Sequence, residues 1–171
     1  MNFDYRRLYP DDWQDWQALR LEGARDFPMG FLVTPDEVEA DPAEACRRIL
    51  SFGNSRGVFA KSRLVGFCSY RPLKPLQIRH RAEIGPFFVS RSFQGSGAAQ
   101  VLMTSVIREA RASNEVEQLE LFVDTENHRA IGFYEKNGFE RIATHPDGVR
   151  IGGRSRDDHF YVLRLQKPEK A

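Results

Sequence analysis

The stretch Ser90-Arg91-Ser92-Phe93-Gln94-Gly95-Ser96-Gly97-Ala98-Ala99 constrains the fold more than any other, because it joins a strand-forming run to a helix-forming one. Upstream, Ala82-Glu83-Ile84-Gly85-Pro86-Phe87-Phe88-Val89 is rich in aromatic and β-branched residues, the composition of a buried strand. Downstream, the run from Ala98 to Arg111 consists of good helix formers with an apolar stripe through Ala98, Val101, Leu102, Ser105, Val106 and Ala110. The chain must therefore turn sharply at the two glycines. The first turn of the helix then presents unpaired N–H groups and the positive end of the helix dipole, and residues without side chains let an anion approach the backbone. Phosphate suits such a loop, although a plain tight turn has the same composition. Two phosphate-binding patterns are excluded: a dinucleotide fingerprint needs a small residue where Gln100 stands, and the Gly-Lys-Ser/Thr of a Walker loop is absent.

The rest of the chain bounds the partner. A length of 171 residues without an internal repeat or a Ser/Gly/Pro linker predicts one domain over residues 1–171. Basic and acidic residues nearly cancel, 25 against 24, so nothing in the charge favours nucleic acid or an anionic membrane, and a small partner is expected. No apolar run reaches the length of a membrane span and no signal peptide is recognisable, which together with the separated Cys46 and Cys68 predicts a cytoplasmic protein with free thiols. His80, His128, His145 and His159 lack the close spacing of a zinc site; they are read as loop and surface histidines, and no metal is expected.

Along the chain the pattern predicts a strand at Phe3–Leu8 and a helix from about Asp11 to Ala24 with Trp13, Trp16 and Leu19 inward. Thr34-Pro35-Asp36-Glu37 has capping-box spacing with proline at the first helical position, and Asp41-Pro42-Ala43-Glu44 repeats it. Val58–Lys61 and Leu64–Tyr70 read as a hairpin about Ser62-Arg63, followed by a strand at Arg81–Val89; three strands in sequence suggest an antiparallel meander. After the glycine loop come a helix, a strand at Leu119–Val123, a helix at His128–Asn137 and strands at Phe139–Ala143 and Phe160–Leu165. Asn127 can cap the second of these helices and Gly138 can stop it in the left-handed conformation. The expected class is α/β (α+β): a mixed, mostly antiparallel sheet of about seven strands with helices on both faces.

Gln94-Gly95-Ser96-Gly97-Ala98-Ala99 resembles the pyrophosphate-binding signature Gln/Arg-x-x-Gly-x-Gly/Ala of the GNAT superfamily of acyl-CoA-dependent N-acetyltransferases. Leu119 to Phe139, with Asn127-His128-Arg129-Ala130 and Phe133-Tyr134-Glu135-Lys136 before Gly138-Phe139, is similar to the second signature of that family. The two occur in the family's order, and the predicted elements match its fold over nearly the whole chain. The resemblance implies acetyl-CoA as acyl donor, its pyrophosphate on Gln94, Gly95, Ser96, Gly97, Ala98 and Ala99, its pantetheine arm on Phe88, Val89 and Asn127. It also implies Glu83 as general base and Tyr134 as the acid that protonates the departing thiolate; the alternatives are a strand-end carboxylate and a buried helix aromatic. The Gly85-Pro86 pair, unable to complete a regular ladder, fits a strand that parts from its neighbour, or a simple bulge. The acceptor would be a small-molecule amine, a peptide or a protein lysine, and a homodimer is compatible with the family. Its site is expected around Asp26–Thr34, Arg71–Arg81 and His145–His159, which carry no readable pattern. The competing readings are a transferase with another acyl donor or a hydroxyl acceptor, and a catalytically silent acyl-CoA-binding module.

Overall fold

Local signals start most of the elements. In the computed structural model, which describes residues 2–165, Thr34 caps the helix α2 (Pro35–Ala40): its Oγ1 accepts from the Glu37 N–H at 3.3 Å while its own N–H donates to Glu37 Oε2 at 2.7 Å. The expected repeat of this box at Asp41 does not form. Pro42 precedes α3 (Ala43–Ser51) without a side-chain cap, and the Asp41 carboxylate is instead paired with Arg20 at 2.9 Å. Arg20 is buried on α1 (Trp13–Asp26) over the Trp16 ring, where an unpaired guanidinium would be costly. The predicted first helix starts as a 3₁₀ turn at Pro10–Asp12, and its Trp16, Leu19 and Ala24 are buried while Trp13 is half-buried.

Two compact units emerge from the packing. The first runs to Tyr70 and resumes over Pro86–Ser105; the second comprises Arg71–Gly85 and the described chain from Val106 onward. In the first, β1 (Asp4–Arg7) pairs antiparallel with β2 (Ser55–Ala60), which pairs antiparallel with β3 (Arg63–Pro72). The turn between them is Lys61-Ser62, one residue earlier than expected, and Lys61 takes a positive φ of 57°. Trp16, Leu19, Phe31, Val38, Leu50 and Phe67 belong to the core of this unit, together with Phe88 from the second half of β4 (Arg81–Val89). Each such side chain contributes roughly 1.5–3 kcal/mol by leaving water.

In the second unit the first half of β4 lies parallel to β5 (Gln118–Asp124), as the intervening helix α4 (Ala98–Ala112) permits. Their register runs Arg81↔Gln118, Ala82↔Leu119 and Glu83↔Glu120, stopping short of Gly85-Pro86. Strand β7 (Arg154–Arg164) is antiparallel to β5, and β6 (Glu140–Ile151) is antiparallel to β7, so the complete order is β1-β2-β3-β4-β5-β7-β6, a mixed seven-stranded sheet. The helix α5 (His128–Lys136) ends at Gly138, whose φ of 89° gives the left-handed stop. Tyr161 Oη donates to Glu135 Oε1 of α5 at 2.8 Å, which sets α5 on the face of Tyr161, Leu163, Leu119, Leu121 and Val123.

The last two strands are the main departure from expectation. The segment from His145 to His159 is not a loop: β6 continues to Ile151, and β7 begins at Arg154. His145 and His159 are therefore strand residues, with Thr144 Oγ1 2.9 Å from His159 Nδ1. Pro146 and Gly148 are absorbed by a register shift between His145 and Val149, and Gly152-Gly153 form the turn with positive φ.

Candidate functional site

The glycine loop is anchored before it turns. Ser90 N–H donates to Val65 O at 2.9 Å, and one oxygen of Glu22, on α1, accepts from Ser90 Oγ at 2.9 Å and from the Arg91 N–H at 2.7 Å. Nothing local announces Glu22, which stands 68 residues away from Ser90 in the chain. Arg91–Phe93 make a 3₁₀ turn, Ser96 Oγ donates to Phe93 O at 2.6 Å, and Gly95 and Gly97 take φ of 77° and 95°, a backbone that residues with a Cβ rarely adopt. A Cβ built at either glycine meets no atom within 4 Å, so conformation rather than crowding demands glycine, and the surface there is open. Helix α4 starts at Ala98; its first-turn amides lack intrahelical acceptors and, with the helix dipole, suit an anion.

The remaining expected donor-binding residues divide by atom. Phe88 and Val89 are buried, Phe88 ringed by Phe27 and Phe31 with centroids 6.0 and 5.8 Å away, so only their backbone can meet a ligand. Gln94 Nε2 donates to Val89 O at 3.3 Å, which makes the signature glutamine a brace of the loop. Phe88, Val89 and Gln94 to Ala99 lie in the first unit; Glu83, Asn127 and Tyr134 lie in the second.

In the second unit Asn127 caps α5, its Oδ1 accepting from the Ala130 N–H at 3.2 Å. The turn that carries it is tied by Arg156, which donates to both oxygens of Asp124 at 2.9 and 2.6 Å and to Glu126 at 2.8 Å. Burial pushes the Asp124 carboxyl up, but the Arg156 hydrogen bond and charge and the Glu126 N–H outweigh it and hold the group below the usual carboxylate range. Tyr134 is buried, 8% exposed, between Phe133 and Phe139 with ring centroids at 5.7 and 5.8 Å. Glu83 is half-buried and hydrogen-bonded to Arg71. Its register partner Glu120 is buried and grips Arg81 through two hydrogen bonds of 2.5 and 2.7 Å. Among the described residues no group of three His, Cys, Asp or Glu side chains could hold a metal ion, and no helix is long and apolar enough to cross a membrane. Cys46 and Cys68 are buried and form no disulfide.

The family model described as acetyltransferase (GNAT) family matches residues 5–139. Among solved structures, the chain is similar to a ribosomal-protein-alanine N-acetyltransferase from Brucella melitensis, with 21% identity, a TM-score of 0.82, and 95% of this chain and 99% of that one covered. It is similar to an N-acetyltransferase from Staphylococcus aureus Mu50, with 17% identity, a TM-score of 0.83 and coverages of 97% and 100%. A protein from Salmonella typhimurium solved with its cofactor acetyl-CoA shares 16% identity and a TM-score of 0.83 over 100% and 98% of the two chains. No curated protein matches the sequence.

Proposed function

Because the chain belongs to the GNAT family of acetyltransferases, we propose that residues 1–171 act as one domain that transfers the acetyl group of acetyl-CoA to a primary amine by direct attack in a ternary complex. The observation that carries this reading is the anchored glycine loop, whose positive-φ glycines open onto the first turn of α4 within the matched region. The loop amides from Gln94 to Ala99 take the pyrophosphate, and the backbone of Phe88 and Val89, with Asn127, takes the pantetheine arm. Acetyl-CoA supplies the activated thioester and its thiolate leaving group. Glu83 receives a proton from the acceptor ammonium, directly or through a water, and the freed lone pair forms the new C–N bond. Such amines have a pKa of about 10.4, so a proton acceptor is required near neutrality. As the C–S bond breaks, the Tyr134 hydroxyl protonates the thiolate, and the second proton shed by the new amide nitrogen restores the phenol. Arg71 holds the Glu83 carboxylate in position during this sequence.

Release of free CoA, followed over a library of small amines, amino acids, peptides with free N-termini and lysine peptides, tests the proposal. Acetyl-CoA-dependent release with at least one amine is expected. Binding of acetyl-CoA without turnover across the library would support the silent module, and turnover of hydroxyl acceptors alone would support O-acylation.

A further inference from the structure

Glu83 is held by a partner that any amine reaching it must also face. Leu73 N–H donates to Arg81 O at 3.0 Å where the chain passes from β3 to β4, and two residues out from this bond on either side Arg71 meets Glu83. Among the described residues their contact is a single one, Arg71 Nη2 donating to Glu83 Oε2. Nε and Nη1 of Arg71 meet no acceptor there, and Oε1 of Glu83 meets no donor. The two side chains are 52% and 41% exposed, so these open atoms are within reach of a ligand.

The neighbouring carboxylate is closed by contrast. Glu120, beside Glu83 in the β4–β5 ladder, is buried, and its oxygens accept from Nε and Nη2 of Arg81 and from Gln118 Nε2 at 2.6 Å. Arg81 therefore offsets Glu120, and the groups left to face a ligand are an open carboxylate oxygen and an open guanidinium edge, side by side. Gly85, two residues beyond Glu83, adds no side chain, and a Cβ built there meets no atom within 4 Å, so nothing crowds that end of the pair. The ladder with β5 also stops at Glu83↔Glu120.

A pair of this kind discriminates by charge. The acceptor arrives as an ammonium, and at Glu83 Oε1 it stands beside the Arg71 guanidinium, a like charge. A carboxylate next to that ammonium turns the repulsion into a charge-assisted hydrogen bond, and Arg71 can make it without releasing Glu83, because its fork has N–H groups besides those of Nη2. In an α-amino acid the two groups sit on one carbon, which suits protein partners that already touch. We infer that the acceptor is a free α-amino acid, its ammonium on Glu83 Oε1 and its carboxylate on the open N–H groups of Arg71. The inference deepens the transferase reading and rests on it, since Glu83 takes the proton from that same nitrogen. Peptide N-termini, protein lysines and alkylamines lack the adjacent carboxylate and are disfavoured.

The test compares each common L-amino acid with its own α-amide, by calorimetric titration into the full chain with CoA present and by CoA release from acetyl-CoA. The amide keeps the nitrogen and the side chain and removes only the negative charge. At least one amino acid is expected to bind, and to react with a kcat/KM about 10- to 100-fold above that of its amide, the effect of a hydrogen bond between charged groups. Arg71→Met should bring this ratio close to one, and Arg71→Lys, which keeps the positive charge, should retain part of it. A role confined to holding Glu83 would slow acid and amide alike and leave the ratio unchanged, which overturns the inference. Amides or alkylamines that match the acids in the unsubstituted protein also overturn it, and that comparison depends on no variant folding. The two readings fail separately: Arg71-dependent binding of an amino acid without CoA release sinks the transferase and leaves the recognition standing, while CoA release from amines with or without a carboxylate sinks the acceptor class alone.

Discussion

Single residues carry the most direct consequences, and Tyr134 comes first. The hydroxyl of this residue is the proton source in the proposed step, so Tyr134→Phe should lower kcat by about 10²-fold with the acetyl-CoA Kd unchanged; steady-state rates beside direct titration check this, and an unaltered kcat removes Tyr134 as the acid. Asp124 and Asp158 are cross-strand partners whose environments differ in sign. Asp124 is held low by Arg156 despite its burial, so its stabilising effect is complete above the unfolded value of about 3.9 and is lost as pH falls through the lower folded value. Asp158 is raised, mainly by burial, so as a carboxylate it destabilises the fold at neutral pH and ceases to do so below about 3.9. Asp158→Asn should therefore raise Tm at pH 7 by roughly 2–4 °C, the effect of about 1 kcal/mol in a chain of this size, and Asp124→Asn should lower it. Both differences should shrink in melts run at progressively lower pH; a constant Asp158→Asn difference across the titration would contradict the assignment.

At the level of elements, the glycine loop depends on one local and one distant requirement. Gly97→Val places a β-branched residue at a φ of 95°; strain of about 1–3 kcal/mol should weaken acetyl-CoA binding roughly 5- to 150-fold. Glu22→Ala strips the acceptor from Ser90 Oγ and the Arg91 N–H and should also weaken acetyl-CoA, whereas Glu22→Gln, which retains an acceptor oxygen, should stay near the parent affinity. Titration of acetyl-CoA into the three variants separates the effects. The same contrast explains which elements were readable. Strand β4, the start of α4, the Thr34 box, the Asn127 cap and the Gly138 stop follow from signals a few residues long. The β6–β7 hairpin was not readable, because Pro146, Gly148, Gly152, Gly153 and the charges around them have loop composition. Only the ladder with β7 and its register shifts turn that segment into strand.

For the molecule as a whole, the family and its glycine loop were legible because the motif is written in contiguous residues. The polar supports of the candidate site were not: Glu22 with Ser90, Arg81 with Glu120 and Arg156 with Asp124 join positions 68, 39 and 32 residues apart, and such pairs leave no periodicity in the chain. Phe122, His145, Asp158 and Phe160 come together only through strand register. Donor binding should nevertheless be visible in the global stability, because a ligand that binds only the folded state stabilises it by mass action. At a hundredfold excess over its Kd, acetyl-CoA should add about 2.7 kcal/mol and raise Tm by roughly 5–11 °C. Gly97→Val should lose most of that rise at the same concentration, while Tyr134→Phe should keep it in full, since the phenol acts on the leaving thiolate rather than on donor affinity. Thermal melts of the three proteins with and without acetyl-CoA decide the matter: a Tyr134→Phe variant that loses the shift would mean that Tyr134 serves donor binding, and the proposed acid would have to be sought elsewhere.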